Sequence, residues 1–139
     1  MGLGTVIFAE VYDKKYNKWR MMDLSKIKVA KLTGDANDED TIEKYYNQYN
    51  GIIFGTNAEW FINPFIEYSE IKSDTSKYIK QYIGKSVDEV FYCSLEKMLE
   101  IKHEWKRYDI KFFDLLLSLE KFMSGSKKYS DLRFIIYVM

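Results

Sequence analysis

The stretch that decides the fold is Val6-Ile7-Phe8-Ala9-Glu10-Val11-Tyr12-Asp13-Lys14-Lys15-Tyr16-Asn17-Lys18-Trp19, two apolar runs around a lysine-rich centre. Val6, Phe8, Glu10 and Tyr12 alternate with Ile7, Ala9 and Val11, the period of two that marks a β-strand over residues 4 to 12. Both faces of that strand are largely apolar, which places it at the centre of a sheet or under cover on both sides. Asp13 to Lys18 reads as a polar turn and Trp19 to Met22 as a return strand, so the chain opens with a hairpin. Glu10 shares a face with Phe8 and Tyr12. A carboxylate there is expected to pair with a lysine or with Arg20 across the hairpin. The sharper alternative is a functional acid held on a strand, and Glu10 is kept as a candidate binding residue.

Outward from the hairpin, residues 33 to 41 (TGDANDEDT) form a loop rich in Asp and Asn. The loop resembles a calcium loop only in its acids; the glycine at the sixth position and the glutamate at the twelfth are missing. Asp38 or Asp40 is expected to cap a helix over 39 to 49, stopped by Asn50-Gly51. Ile52 to Phe54 suits a short buried strand, and Pro64 breaks whatever precedes it. A short helix is expected over 74 to 83, a strand or extended link over Val87 to Tyr92, a Ser94-capped helix over 95 to 106, and a longer helix over 109 to 123. That last helix leaves only Lys111, Asp114, Ser118 and Lys121 as a polar strip. Its wide apolar arc calls for burial against a sheet and also against another helix or subunit, so a homodimer is one expectation. Leu132 to Val138 is a closing strand. The reading is an α+β fold, a small antiparallel sheet with helices packed on one face, as a single domain over 1–139.

Composition narrows the function. Among 139 residues, 47% are apolar and 17% aromatic, enough for an ordinary core without metals or disulfides. Lys+Arg and Asp+Glu both number 21, which argues against a strongly basic nucleic-acid binder and against an acidic nucleic-acid mimic. A single cysteine, Cys93, allows no internal disulfide and fits a reducing cytoplasm. The opening MGLGTVIFAE lacks the basic and long apolar regions of a leader peptide, and no apolar run suits a membrane helix.

Residues able to do chemistry are few. Cys93 and His103 are single representatives of their types. Cys93 reads as a buried structural thiol, although a place just before a helix N-terminus would lower its pKa. Glu96, Glu100 and His103 share one helical face, but one histidine cannot complete a di-iron set, and a solvated face with ion pairs is the ordinary alternative. No nucleophile elbow, phosphate loop, HExxH or paired CxxC is present. No catalytic residue, metal or cofactor is expected, and the chain is not read as an enzyme.

What remains is aromatic. Tyr45, Tyr46 and Tyr49 lie on one expected helix, Trp60 and Phe61 lie in an aromatic stretch, and Tyr78 and Tyr82 interleave with Lys77, Lys80 and Lys85. Tyrosine supplies large rigid contact area with a polar tip, so these residues are candidates for a recognition surface. Others among them are expected to roof the core.

The two ends of the chain resemble a small phage and prophage protein family. IFAEVYDKKYNKWRMMD (7 to 23) is similar to that family's opening strand, lysine-rich turn and "KW". CSLEKMLEIKHEW (93 to 105) looks like its strand-to-helix segment, and DLRFIIYVM (131 to 139) like its closing strand. The middle departs from the family pattern, with only Tyr49 to Gly55 echoing it. The resemblance implies a phage-encoded accessory protein acting in the cytoplasm of a host bacterium, and it matches Glu10 to the glutamate of the family's first strand. The leading expectation is a non-catalytic protein that inhibits a host bacterial protein, a CRISPR-Cas effector of a defence system being the concrete case. The alternatives are a small-molecule or nucleotide-binding protein (a signal sponge) and a single-stranded nucleic-acid binder, the latter disfavoured by the charge balance.

Overall fold

A computed structural model describes residues 5–22, 52–54, 63–67, 70–83 and 90–138. Its centre is β1 (Thr5–Asp13), whose hydrogen-bonding edges are both occupied. One edge carries β5 (Tyr129–Val138) along nearly its whole length. The other is shared by two short strands: β3 (Ile52–Phe54) pairs with Thr5 to Ile7, and β2 (Lys18–Met22) with Ala9 to Asp13. β4 (Val90–Ser94) pairs with the far side of β5, and every pairing is antiparallel. The register between β1 and β5 shifts between Val11 and Asp13, an irregularity at the hairpin end of the sheet.

The alternation in β1 sorts its side chains as the period of two requires. Ile7, Ala9 and Val11 join Cys93, Phe134 and Ile136 on one face, where three helices cover them. These are α2 (Leu95–Glu100), α3 (Lys102–Tyr108) and α4 (Ile110–Ser124). Val6 and Phe8 join Val90, Tyr92 and Ile135 on the opposite face, under Ile79 and Ile83 of α1 (Lys77–Ile83). The α+β sheet with α2, α3 and α4 on one face is therefore present, and a second, smaller cover lies over the other. A 3-10 turn at Asn63–Phe65 holds Pro64.

Two of the helix starts have a local cause. The Ser94 Oγ accepts from the Lys97 N–H at 3.1 Å and starts α2 directly off β4. The Asp109 Oδ1 accepts from the Lys111 and Phe112 N–H groups, both at 3.1 Å, and starts α4. The helix expected over 95 to 106 is split at Ile101 (φ −106°, ψ 21°). Met98 and Trp105, seven residues apart, both face the core across the break, and the Trp105 Nε1–H donates to the Met98 Sδ at 3.1 Å. Trp105 is fully buried and packs its ring 4.1 Å from that of Phe112. Asp114, expected on the polar strip of α4, is instead buried together with Phe112, Leu115, Leu116 and Leu119. Ile110 and Phe122 at the two ends of that helix are exposed. The described residues contain no helix long and apolar enough to cross a membrane.

Candidate functional site

Two features of the sheet hold the polar chemistry, and both begin in the opening hairpin. The first is centred on Glu10. Antiparallel register places Glu10 opposite Arg133 of β5 on one side and Met21 of β2 on the other. The partner of Glu10 is therefore Arg133, not Arg20 or a lysine across the hairpin. Arg133 Nε donates to Glu10 Oε1 at 2.9 Å, and Arg133 Nη2 lies 2.8 Å from the same oxygen. The other carboxylate oxygen accepts from the Ser76 N–H at 2.6 Å. Glu10 is 0% exposed and the Arg133 side chain 8%, so the pair lies within the protein.

Arg133 also reaches outward. Its Nη2 donates to Asp74 Oδ1 at 3.0 Å, where the carboxylate is 56% exposed. The guanidinium sits 4.0 Å from the ring centre of Trp19 and 5.0 Å from that of Tyr92. Planar, weakly hydrated guanidinium suits such aromatic cover better than an ammonium would. Tyr92 is itself anchored: its hydroxyl accepts from the Lys72 N–H at 3.0 Å and lies 2.5 Å from the Thr75 hydroxyl. The cluster thus pins the segment 72 to 76 onto the sheet. Shallow depressions flank Trp19. One, of about 450 Å³, runs between β2 and the start of α1; the other, of about 230 Å³, lies between Trp19 and Tyr92.

The second feature is the hairpin turn. Asp13, fully buried, accepts from the Lys15 N–H at 3.0 Å, the Tyr16 N–H at 3.4 Å and the Arg20 Nε at 2.8 Å. Burial pushes the Asp13 carboxyl up, but the Arg20 hydrogen bond, the two backbone donors and the guanidinium charge together hold its pKa below the ordinary value. Asn17 closes the turn at φ 51°, a left-handed conformation that asparagine adopts more readily than most residues. The result is a fixed loop that carries Tyr16 at 55% exposure, with Arg20 and Lys15 over its ring at 5.0 and 5.4 Å.

The other sequence candidates scatter. Tyr45, Tyr46, Tyr49, Trp60 and Phe61 lie outside the described residues, as do the expected loop over 33 to 41 and the helix over 39 to 49. Tyr78 is exposed on α1. Tyr82 turns inward, its ring 5.1 Å from Phe8 and 6.2 Å from Tyr137, and roofs the smaller core. Cys93 is buried facing the helices, and burial pushes its thiol up to about 12, with the Glu67 and Glu100 carboxylates adding to the rise and Lys97 opposing it. Cys93 is thus the buried thiol expected, and its place just before a helix does not lower its pKa. Glu96, Glu100 and His103 are exposed, and the break at Ile101 separates His103 from the two acids. Among the described residues no group of three or more His, Cys, Asp or Glu could hold a metal ion. Tyr16 was not singled out in the sequence; its signal was a lone aromatic inside a polar turn. No family model matches the chain, and neither does any curated protein or solved structure.

Proposed function

We propose that this chain is a non-catalytic binding protein that presents the β1–β2 hairpin to a host bacterial protein and inhibits it. The observation that carries the reading is Tyr16: a large aromatic, 55% exposed, on a turn braced by three hydrogen bonds to the buried Asp13. A rigid exposed aromatic loses little entropy on binding, which is the property of residues that dominate protein interfaces. The buried charges beneath support it, because Glu10 and Arg133 hold each other and anchor Trp19 rather than facing a substrate. The phage origin belongs to this proposal and is supported by the resemblance at the two ends of the chain; the CRISPR-Cas effector is its concrete case, supported by a motif-poor, aromatic-rich chain that suits stoichiometric inhibition.

The test is a tagged capture from bacterial lysate followed by reconstitution with the purified target. The expected result is one stoichiometric protein that dissociates when Tyr16→Ala is used, with the melting temperature of the variant unchanged. Retention of the same protein by Tyr16→Ala would move the contact elsewhere, and capture of none would remove the reading. A second reading, a small planar ligand, rests on the depressions flanking Trp19. It predicts a rise in melting temperature with one member of a nucleotide panel.

A further inference from the structure

The topology gathers lysines that the sequence keeps apart. The Lys14 N–H donates to the Lys128 carbonyl at 3.2 Å, and Asp13 is in register with Tyr129, so the hairpin turn and the loop after α4 meet at one end of the sheet. Lys14, Lys15 and Lys18 are exposed on the turn, Lys127 and Lys128 on the loop and Lys121 on the last turn of α4. None of these six lysines has an ion-pair partner among the described residues, whereas Arg20 beside them is paired with Asp13. The nearest exposed acids along the chain are Glu120 and Asp131. Within a chain of zero formal net charge, the described residues thus carry a local excess of positive charge at this end.

The aromatics in the patch decide between anionic partners. The Tyr16 ring has Arg20 and Lys15 over it, and the Tyr129 ring has Lys128 over it at 5.3 Å and Phe122 at 6.3 Å. On the ring faces where these neighbours lie a nucleobase stacks only by displacing them, and base stacking is what gives single-strand binders their affinity. An acidic polypeptide needs no free ring face. Its carboxylates meet the lysines, and its apolar side chains meet the exposed edge of Phe122.

From this juxtaposition of the 14–18 turn with the 121–128 loop we infer that this end of the sheet docks an acidic, aromatic-containing protein segment. The inference deepens the binding-protein reading and rests on it, adding the chemistry of the partner surface. It is tested by titrating isotope-labelled protein with a short peptide of glutamate and phenylalanine, and separately with an oligothymidylate of equal charge, following amide shifts in low salt. The expected result is peptide-induced shifts confined to 13–20 and 121–130. The quadruple charge reversal Lys14→Glu, Lys15→Glu, Lys127→Glu, Lys128→Glu should weaken peptide binding about tenfold or more. The paired variants Lys14→Ala/Lys15→Ala and Lys127→Ala/Lys128→Ala should each give a smaller loss, which keeps the test alive if the quadruple variant does not fold. Tighter binding of the oligothymidylate, or shifts elsewhere on the sheet, overturns the inference. Loss of peptide binding in the charge variants alongside unimpaired capture of the stoichiometric host protein overturns it too, and leaves the broader binding reading standing.

Discussion

Arg133→Met tests whether the buried pair holds the second layer of the fold. The substitution removes the Nε and Nη2 donors to Glu10 and leaves that carboxylate, 0% exposed, with the Ser76 N–H as its donor among the described residues. Stranding one member of a buried ion pair costs about 3–5 kcal/mol. Removal of the guanidinium from its place 4.0 Å over Trp19 adds about 0.5–2 kcal/mol. Against a usual total of about 5–15 kcal/mol, the variant is expected to lose roughly half of its stability. Glu10→Leu costs less, because Arg133 keeps the half-exposed Asp74. The double variant Glu10→Leu/Arg133→Met removes both charges and leaves chiefly the Ser76 N–H unpaired, at about 1–3 kcal/mol. Urea unfolding at neutral pH on all four proteins gives the coupling energy directly. The double variant should be more stable than Arg133→Met alone. If its loss equals the sum of the single losses within about 0.5 kcal/mol, the pair is not a unit and the reasoning fails.

Three further outcomes follow from the geometry. The Asp13 pKa is lower in the folded chain than in the unfolded one, so its contribution is complete above the unfolded carboxylate range and is lost as pH falls through the folded value; Asp13→Asn should flatten the acid side of a melting-temperature profile. Cys93, with its thiol pushed up to about 12, should resist a thiol-reactive disulfide reagent at pH about 8 in the native protein and react at once in denaturant. Asn17→Val places a β-branched residue at φ 51° and should cost about 1–2 kcal/mol in urea, whereas Asn17→Gly should be close to neutral.

The hairpin was legible because local alternation and a polar turn specify both strands without help from elsewhere. The cap at Ser94 was legible for the same reason. The partner of Glu10 was not, because Arg133 lies 123 residues away and only strand order makes them neighbours. Nor was the break at Ile101, because Leu99-Glu100-Ile101-Lys102 contains no glycine or proline to signal it. The basic end was invisible to a net charge of zero, since it depends on the turn after β1 lying beside the loop before β5. Tyr82 shows the limit of alternation between lysine and tyrosine as a surface signal; the same pattern serves a helix that turns one aromatic down onto Phe8.

The pairing of β1 with β5 also governs when this protein can become a protein. The sheet's central ladder joins residues 5–13 to 129–138. β1 therefore lacks its main neighbour until residues 129–138 are available to pair with it. Closing so long a loop before the β1–β5 ladder energy is recovered predicts slow, concerted folding. Over that interval Val6 to Val11 is an unguarded strand, and expression yield should depend on holdase chaperones more than the mature stability suggests.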